Sequence, residues 1–164
     1  MEARLVEGQS RKASMYRADE TGARAGSARG ATQVVVVADN PLIVAAIRSG
    51  VRETGALELL GYVDPRRATA ERLVEVGAQV VLVDEGEASE PALALIRALG
   101  DLDQSIAVIV LTLDMQGEWL QRAFEAGANG ALSKAIHPTA LATLVREAVH
   151  GHIVHAPVRL RPAL

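Results

Sequence analysis

Four residues of this chain could act together on an anionic substrate: Asp39, Asp84, Thr112 and Lys134. Two carboxylates brought near one another repel, and a hard divalent cation such as Mg²⁺ relieves that repulsion. A carboxylate can attack phosphorus as a nucleophile. A phosphoryl group in transfer carries negative charge on its outer oxygens. A lysine ammonium, a threonine hydroxyl and a metal ion would stabilise that charge. No Gly-rich phosphate loop of the Walker or dinucleotide type is present, and Ser10, Ser14 and Ser49 have no helper base that would make a hydrolase triad.

Each of the four follows an apolar run. Val34–Val37 precedes Asp39, Val80–Val83 precedes Asp84, Ile106–Leu111 precedes Thr112, and Ala131-Leu132 lies just before Lys134. Continuous β-branched runs suit strands buried on both faces. A further strand is expected over Leu57–Val63. Between the strands, apolar residues recur at helical spacing. The pattern predicts a helix from Asp39-Asn40-Pro41 to Gly55 and another opening at Asp64-Pro65, with Leu73, Val74 and Val76 inward, and closing at Gly77. It predicts a short helix from Pro91 to Leu99 stopped by Gly100, one carrying Trp119, Leu120 and Phe124 to Gly127, and a last one from His137-Pro138 to about Gly151 with Leu141, Leu144, Val145 and Ala148 inward. Alternating strands and helices mean crossover units and a parallel sheet. The expected fold is therefore α/β: a doubly wound, five-stranded parallel sheet of the flavodoxin-like (βα)5 kind. In such a sheet ligands bind beyond the carboxyl ends of the strands, where all four residues fall.

Composition agrees. With one Trp, one Phe and two Tyr in 164 residues, the core must be built from Val, Leu, Ile and Ala. The absence of cysteine excludes disulfides and thiolate metal sites. No apolar stretch is long enough for a membrane span and the N-terminus carries no secretion-signal run, so a cytoplasmic protein with no membrane partner is expected. Residues 1–32 hold six of the 17 Lys/Arg and four of the 20 Asp/Glu, leaving 11 bases against 16 acids, so the remainder is mildly acidic. A broad basic footprint for nucleic acid is missing. Residues 1–32, rich in Ala, Arg, Gly and Ser, are expected to be a flexible arm, 33–151 the folded domain and 152–164 a tail. His150, His152 and His155 lack a nearby carboxylate to complete a metal site. Trp119 is expected to serve packing or a partner surface.

Residues 33–151 resemble a response-regulator receiver domain, most similar to the NarL/FixJ-like branch. The resemblance rests on Val-Val-Val-Val-Ala-Asp-Asn-Pro-Leu (34–42), Val-Val-Leu-Val-Asp (80–84), Val-Ile-Val-Leu-Thr (108–112) and Glu-Ala-Gly-Ala-Asn-Gly-Ala-Leu-Ser-Lys (125–134). It implies that Asp84 is the phosphoacceptor, Asp39 a direct Mg²⁺ ligand together with Asp84, and Thr112 the switch hydroxyl that follows the phosphoryl group. Lys134 is then the lysine that pairs with it, and Gly86 the donor of a backbone carbonyl to the metal. It implies a signalling switch and not a metabolic enzyme, with a sensor histidine kinase or other signalling protein as partner and a homodimer as a further expectation. The chain departs from the family where an acidic pair is usual: Ala38 stands before Asp39, which weakens Mg²⁺ binding unless Glu85 or Glu87 replaces the missing carboxylate. Leu113 follows the switch hydroxyl where a small residue is usual and could narrow access to Asp84. Ala131 occupies the switch-aromatic position, and Glu87-Ala88-Ser89 replaces the familiar Met-Pro-Gly turn. These departures leave two alternatives open. One is a degenerate receiver acting as an interaction or dimerisation module. The other is a shortened transcriptional regulator, since Ile153 to Leu164 is too little chain for a helix-turn-helix domain.

Overall fold

The computed structural model describes residues 30–135 together with 137, 140, 143–145 and 147. The elements run β1 (Thr32–Val37), α1 (Pro41–Thr54), β2 (Leu57–Val63), α2 (Ala70–Glu75), β3 (Val80–Asp84), α3 (Ser89–Leu102), β4 (Ala107–Thr112), α4 (Glu118–Ala126) and β5 (Gly130–Ser133). The five strands form one sheet in the order β2-β1-β3-β4-β5, and every neighbouring pair is parallel. Residues 140, 143–145 and 147 are helical.

Side chains alternate across the strands, and the alternation makes two cores. Val35, Val37, Val81, Val83, Val108 and Val110 face a cluster completed by Leu73 of α2, by Leu93, Ile96 and Leu99 of α3, and by Trp119 and Leu120 of α4. Val34, Val36, Val80, Leu82, Ile109 and Leu111 face the other side, with Val44, Ile47 and Val51 of α1 and with Val145. A bulge in β2 sets Val34 against Leu59 but Val35 against Gly61, so Leu60 is the extra residue. It lets Leu59 and Tyr62 pack on one core while Leu60 and Val63 serve the other. Trp119 is a packing residue, 8% exposed.

Local chemistry explains where the elements begin and end. Asn40 caps α1, its side chain accepting from the Leu42 N–H at 3.0 Å, and Gly55 ends the helix in the left-handed region at φ 62°. Two helix boundaries differ from the sequence expectation. Asp64-Pro65 opens a turn, not α2: Asp64 Oδ1 accepts from the Arg66 N–H at 2.8 Å and the Asp64 carbonyl accepts from the Arg67 and Ala68 N–H groups. The bond from the Ala68 N–H makes this a single helical turn that is not continued, and α2 begins only after Thr69, whose hydroxyl accepts from the Arg72 N–H. Conversely, α3 starts two residues before Pro91 and runs through Gly100 to Leu102. A glycine inside a helix costs about 1 kcal/mol, which the burial of Ala92, Leu93, Leu95, Ile96 and Leu99 on this helix outweighs. The first strand begins at Thr32, one residue inside the stretch expected to be an arm. Residues 1–29, the last-helix positions Pro138, Leu141, Ala148 and Gly151, the histidines 150, 152 and 155, and the tail lie outside the described residues.

Candidate functional site

All strands point the same way, so their carboxyl ends share one edge of the sheet. Asp84 is the last residue of β3, Thr112 the last of β4, and Lys134 follows β5 directly, its N–H donating to the Thr112 carbonyl at 3.0 Å. Asp39 lies two residues past the end of β1. Asn40 takes the capping role at α1, which leaves the Asp39 carboxylate available to the edge.

Lys134 and Asp84 form the centre. The lysine Nζ donates to Asp84 Oδ1 at 3.0 Å and also to the Glu85 carbonyl. The Asp84 side chain is 1% exposed and that of Lys134 15%. Burial raises the Asp84 pKa above its ordinary value. The hydrogen bond and charge of Lys134 pull it back down, while the nearby charges of Asp39 and Glu85 add to the rise.

Asp39 approaches from the β1 side. Its Oδ2 accepts from the Ala88 N–H at 3.1 Å, just ahead of α3. Its carboxylate rests on Gly86: a Cβ at that position would sit 2.2 Å from Asp39 Oδ1. Only glycine admits this approach. The Gly86 carbonyl accepts from the Ser89 hydroxyl at 3.3 Å. Arg66 Nη1 lies 4.0 Å from Asp39 Oδ2 and 3.2 Å from Asp64 Oδ2. Beside Ala38 a cleft of about 500 Å³ opens between α1 and the end of β2, lined by Asp39, Arg48, Tyr62, Asp64 and Arg67 among others. The guanidinium of Arg48 lies 5.9 Å from the Tyr62 ring centroid.

Asp39, Asp84 and the Gly86 carbonyl supply oxygen donors only, the type Mg²⁺ takes. Packing of Asp39 on Gly86 brings that carboxylate to the end of β3. The residues fit a hard cation in donor chemistry but are few: among the described residues no group of three or more Asp, Glu, His or Cys could hold a metal. A small set of protein ligands is compatible with Mg²⁺, which keeps several waters.

Thr112 is fully buried. Its hydroxyl donates to Glu85 Oε2 and accepts from the Asp114 N–H at 3.0 Å. Sequence reasoning placed Glu85 only as a possible substitute for the missing acid beside Asp39. The structure instead carries its carboxylate to β4. The register explains why: Asp84 pairs with Leu111, and the Glu85 N–H donates to the Leu111 carbonyl at 2.8 Å, so one further step sets Glu85 opposite Thr112 on the same face. Glu87 is exposed. Leu113, which follows the switch-hydroxyl position, stands 69% exposed to solvent. Ala131 is buried in the core shared with α3 and α4.

A family model described as response regulator receiver domain matches residues 34–146. Curated protein sequences give no match. Solved structures give many. The response regulator ChrA of a heme-sensing two-component system is 26% identical with a TM-score of 0.61; the match covers 78% of this chain and 61% of ChrA, so the chain spans about three-fifths of that relative's length. The receiver domain of the stress response regulator RcsB from Escherichia coli is 20% identical with a TM-score of 0.63, covering 74% of this chain and 95% of that one. A LuxR family DNA-binding response regulator from Silicibacter pomeroyi is 24% identical with a TM-score of 0.60, covering 77% and 98%. Receiver domains are signalling modules that generally bind Mg²⁺ at their phosphorylation site. Among the described residues no helix is long and apolar enough to cross a membrane. With its parallel 2-1-3-4-5 sheet and its match over residues 34–146, this chain belongs to the response regulator receiver domain family of two-component systems.

Proposed function

We propose that Asp84 accepts a phosphoryl group and that this changes the contacts made by Thr112 and Lys134. The observation that carries the reading is the Lys134 Nζ placed 3.0 Å from Asp84 Oδ1 at the shared end of the parallel strands. One Asp84 oxygen would attack phosphorus as the bond to the donor's leaving group breaks, giving an acyl phosphate. Lys134, already against that carboxylate, would neutralise part of the added charge. Asp39, Asp84 and the Gly86 carbonyl would hold Mg²⁺, which when bound supplies charge stabilisation on the transferring group. The absence of an acid at residue 38 weakens that holding. A cytoplasmic sensor histidine kinase is the proposed donor, and the output is a shifted balance between two conformations of the face formed by α4, β5 and the helix that follows.

Incubation with acetyl phosphate and Mg²⁺ tests this by intact mass and peptide mapping. One added phosphoryl group on the peptide holding Asp84, absent from Asp84→Asn, is expected. No adduct on the wild type, while another receiver reacts in parallel, would remove the reading in favour of a phosphorylation-independent interaction module. A specific observation favours that second reading: the Thr112 hydroxyl already has an anionic partner in Glu85.

A further inference from the structure

Thr112 has one hydroxyl proton and two lone pairs. The Asp114 N–H occupies one lone pair. Two acceptors lie within reach of the proton, the Glu85 carboxylate and the Asp114 carbonyl at 3.3 Å. A carboxylate is the stronger acceptor of the two. The hydroxyl is buried, so water does not compete for it. Glu85 itself is anchored at both main-chain groups: its N–H donates to Leu111 and its carbonyl accepts from Lys134. Its carboxylate is thus held across from Thr112 by the same ladder that holds Asp84 against Leu111.

We propose that Glu85 is a positioning residue for Thr112, its carboxylate taking from the unmodified protein's switch hydroxyl the one hydrogen bond that a phosphoryl oxygen on Asp84 would need. The proposal deepens the phosphoacceptor reading and rests on it only for its consequence. Phosphorylation of Asp84 must break the Thr112–Glu85 bond, and it must add a dianion beside a carboxylate already present. Glu85 therefore does two things at once. It orders Thr112 without any phosphoryl group, and it slows the chemistry that would otherwise order it. The chain is in this sense partly latched by its own side chain, which gives the missing acid at Ala38 and the resident acid at Glu85 opposite meanings: one weakens cation binding, the other replaces the anion.

The test uses the full chain, labelled with ¹³C and ¹⁵N, and reads the bond from both ends. In the wild type the buried Thr112 hydroxyl proton is expected to be protected from exchange and shifted downfield by the carboxylate; in Glu85→Ala, where the Asp114 carbonyl at 3.3 Å remains as acceptor, it moves upfield, and in Glu85→Gln, whose amide oxygen can still accept, it moves less. From the other end, Thr112→Val is expected to shift the Glu85 carboxyl carbon, a readout that stands even where Glu85→Ala folds poorly. An unmoved Thr112 hydroxyl proton in a folded Glu85→Ala, or an unmoved Glu85 carboxyl carbon in Thr112→Val, would overturn the proposal. The second arm is labelling with acetyl phosphate and Mg²⁺. Asp84 in Glu85→Ala is expected to react about tenfold faster than in the wild type, the worth of one hydrogen bond to a charged group; equal rates would overturn the competitive role. No adduct on either protein would sink the phosphoacceptor reading alone, because the hydroxyl proton and the carboxyl carbon decide the positioning role without any phosphoryl group.

Discussion

The two halves of the pocket are built from the same kind of strand end but are in different electrical states. On the β4–β5 half, every charged or hydroxyl group has a close internal partner: Lys134 on Asp84 and on the Glu85 carbonyl, and Thr112 on Glu85. On the β1–β2 half the anion is held loosely. Asp39 has one main-chain N–H at 3.1 Å, a guanidinium at 4.0 Å, and an alanine where a second acid would sit. Asp84 and Thr112 of the first half are buried, while Asp39 of the second borders a cleft of about 500 Å³. A receiver site needs both, one to hold the anion's counter-charges and one to hold a cation. Of the two halves in this chain, the one holding Asp39 has the fewer and longer contacts.

The contrast gives a ranking of effects. The largest is expected on the β4–β5 half. Lys134→Met leaves the buried Asp84 carboxylate without its ammonium, and a urea titration at neutral pH should show a loss of about 3 kcal/mol, the usual cost of removing one partner of a buried pair. That loss has a pH signature. Asp84 has a raised pKa in the folded state, and losing Lys134 raises it further. As pH falls through this raised pKa towards the ordinary 3.8, the folded state takes up its proton first and the variant recovers stability. A loss that does not shrink in acid would mean that Lys134 acts by packing and not by charge.

Next comes the contact that seats Asp39 on Gly86. In Gly86→Ala the new methyl meets Asp39 Oδ1, so the carboxylate must leave and with it the bond to the Ala88 N–H. About 2 kcal/mol is expected to be lost in the same titration, one charge-assisted hydrogen bond. If Gly86→Ala proves as costly as Lys134→Met, the two halves are not unequal in the way described.

The smallest effect restores what is absent. Ala38→Asp adds a carboxylate beside Asp39, and Mg²⁺ should bind about tenfold more tightly, the equivalent of about 1.4 kcal/mol, as followed by the fluorescence of the single tryptophan, Trp119. Unchanged affinity would show that the β1–β2 half is limited by something other than its count of acids, with the guanidinium of Arg66 the first candidate.

Which parts of this were legible in the sequence follows from the same physics. Asp39, Asp84, Thr112 and Lys134 could be gathered before any coordinates because each ends an apolar run and parallel strands share an edge. The alternation of two cores along Val34–Val37 and Val80–Val83 was not legible, since both faces carry the same residue type. Nor could Asp39 be told from Asn40 as the helix cap: both are good caps, and the structure chose Asn40. The boundaries of α2 and α3 differ from the sequence pattern because a turn at Asp64 and burial around Gly100 override local preference. From the sequence, Glu85 reads as added charge and as a candidate for the missing carboxylate, not as a partner of Thr112. Its bond to Thr112 depends on the β3–β4 register, and two runs of Val, Ile and Leu carry no mark that fixes it.

Lys134 and Asp84 meet although they follow β5 and end β3, strands that are not neighbours in the sheet. A double-mutant cycle of Lys134→Met and Asp84→Asn, read by urea unfolding at neutral pH, measures that meeting directly. The expected coupling is about 2 kcal/mol, the worth of a hydrogen bond between charged groups. Additive effects, with coupling near zero, would contradict it.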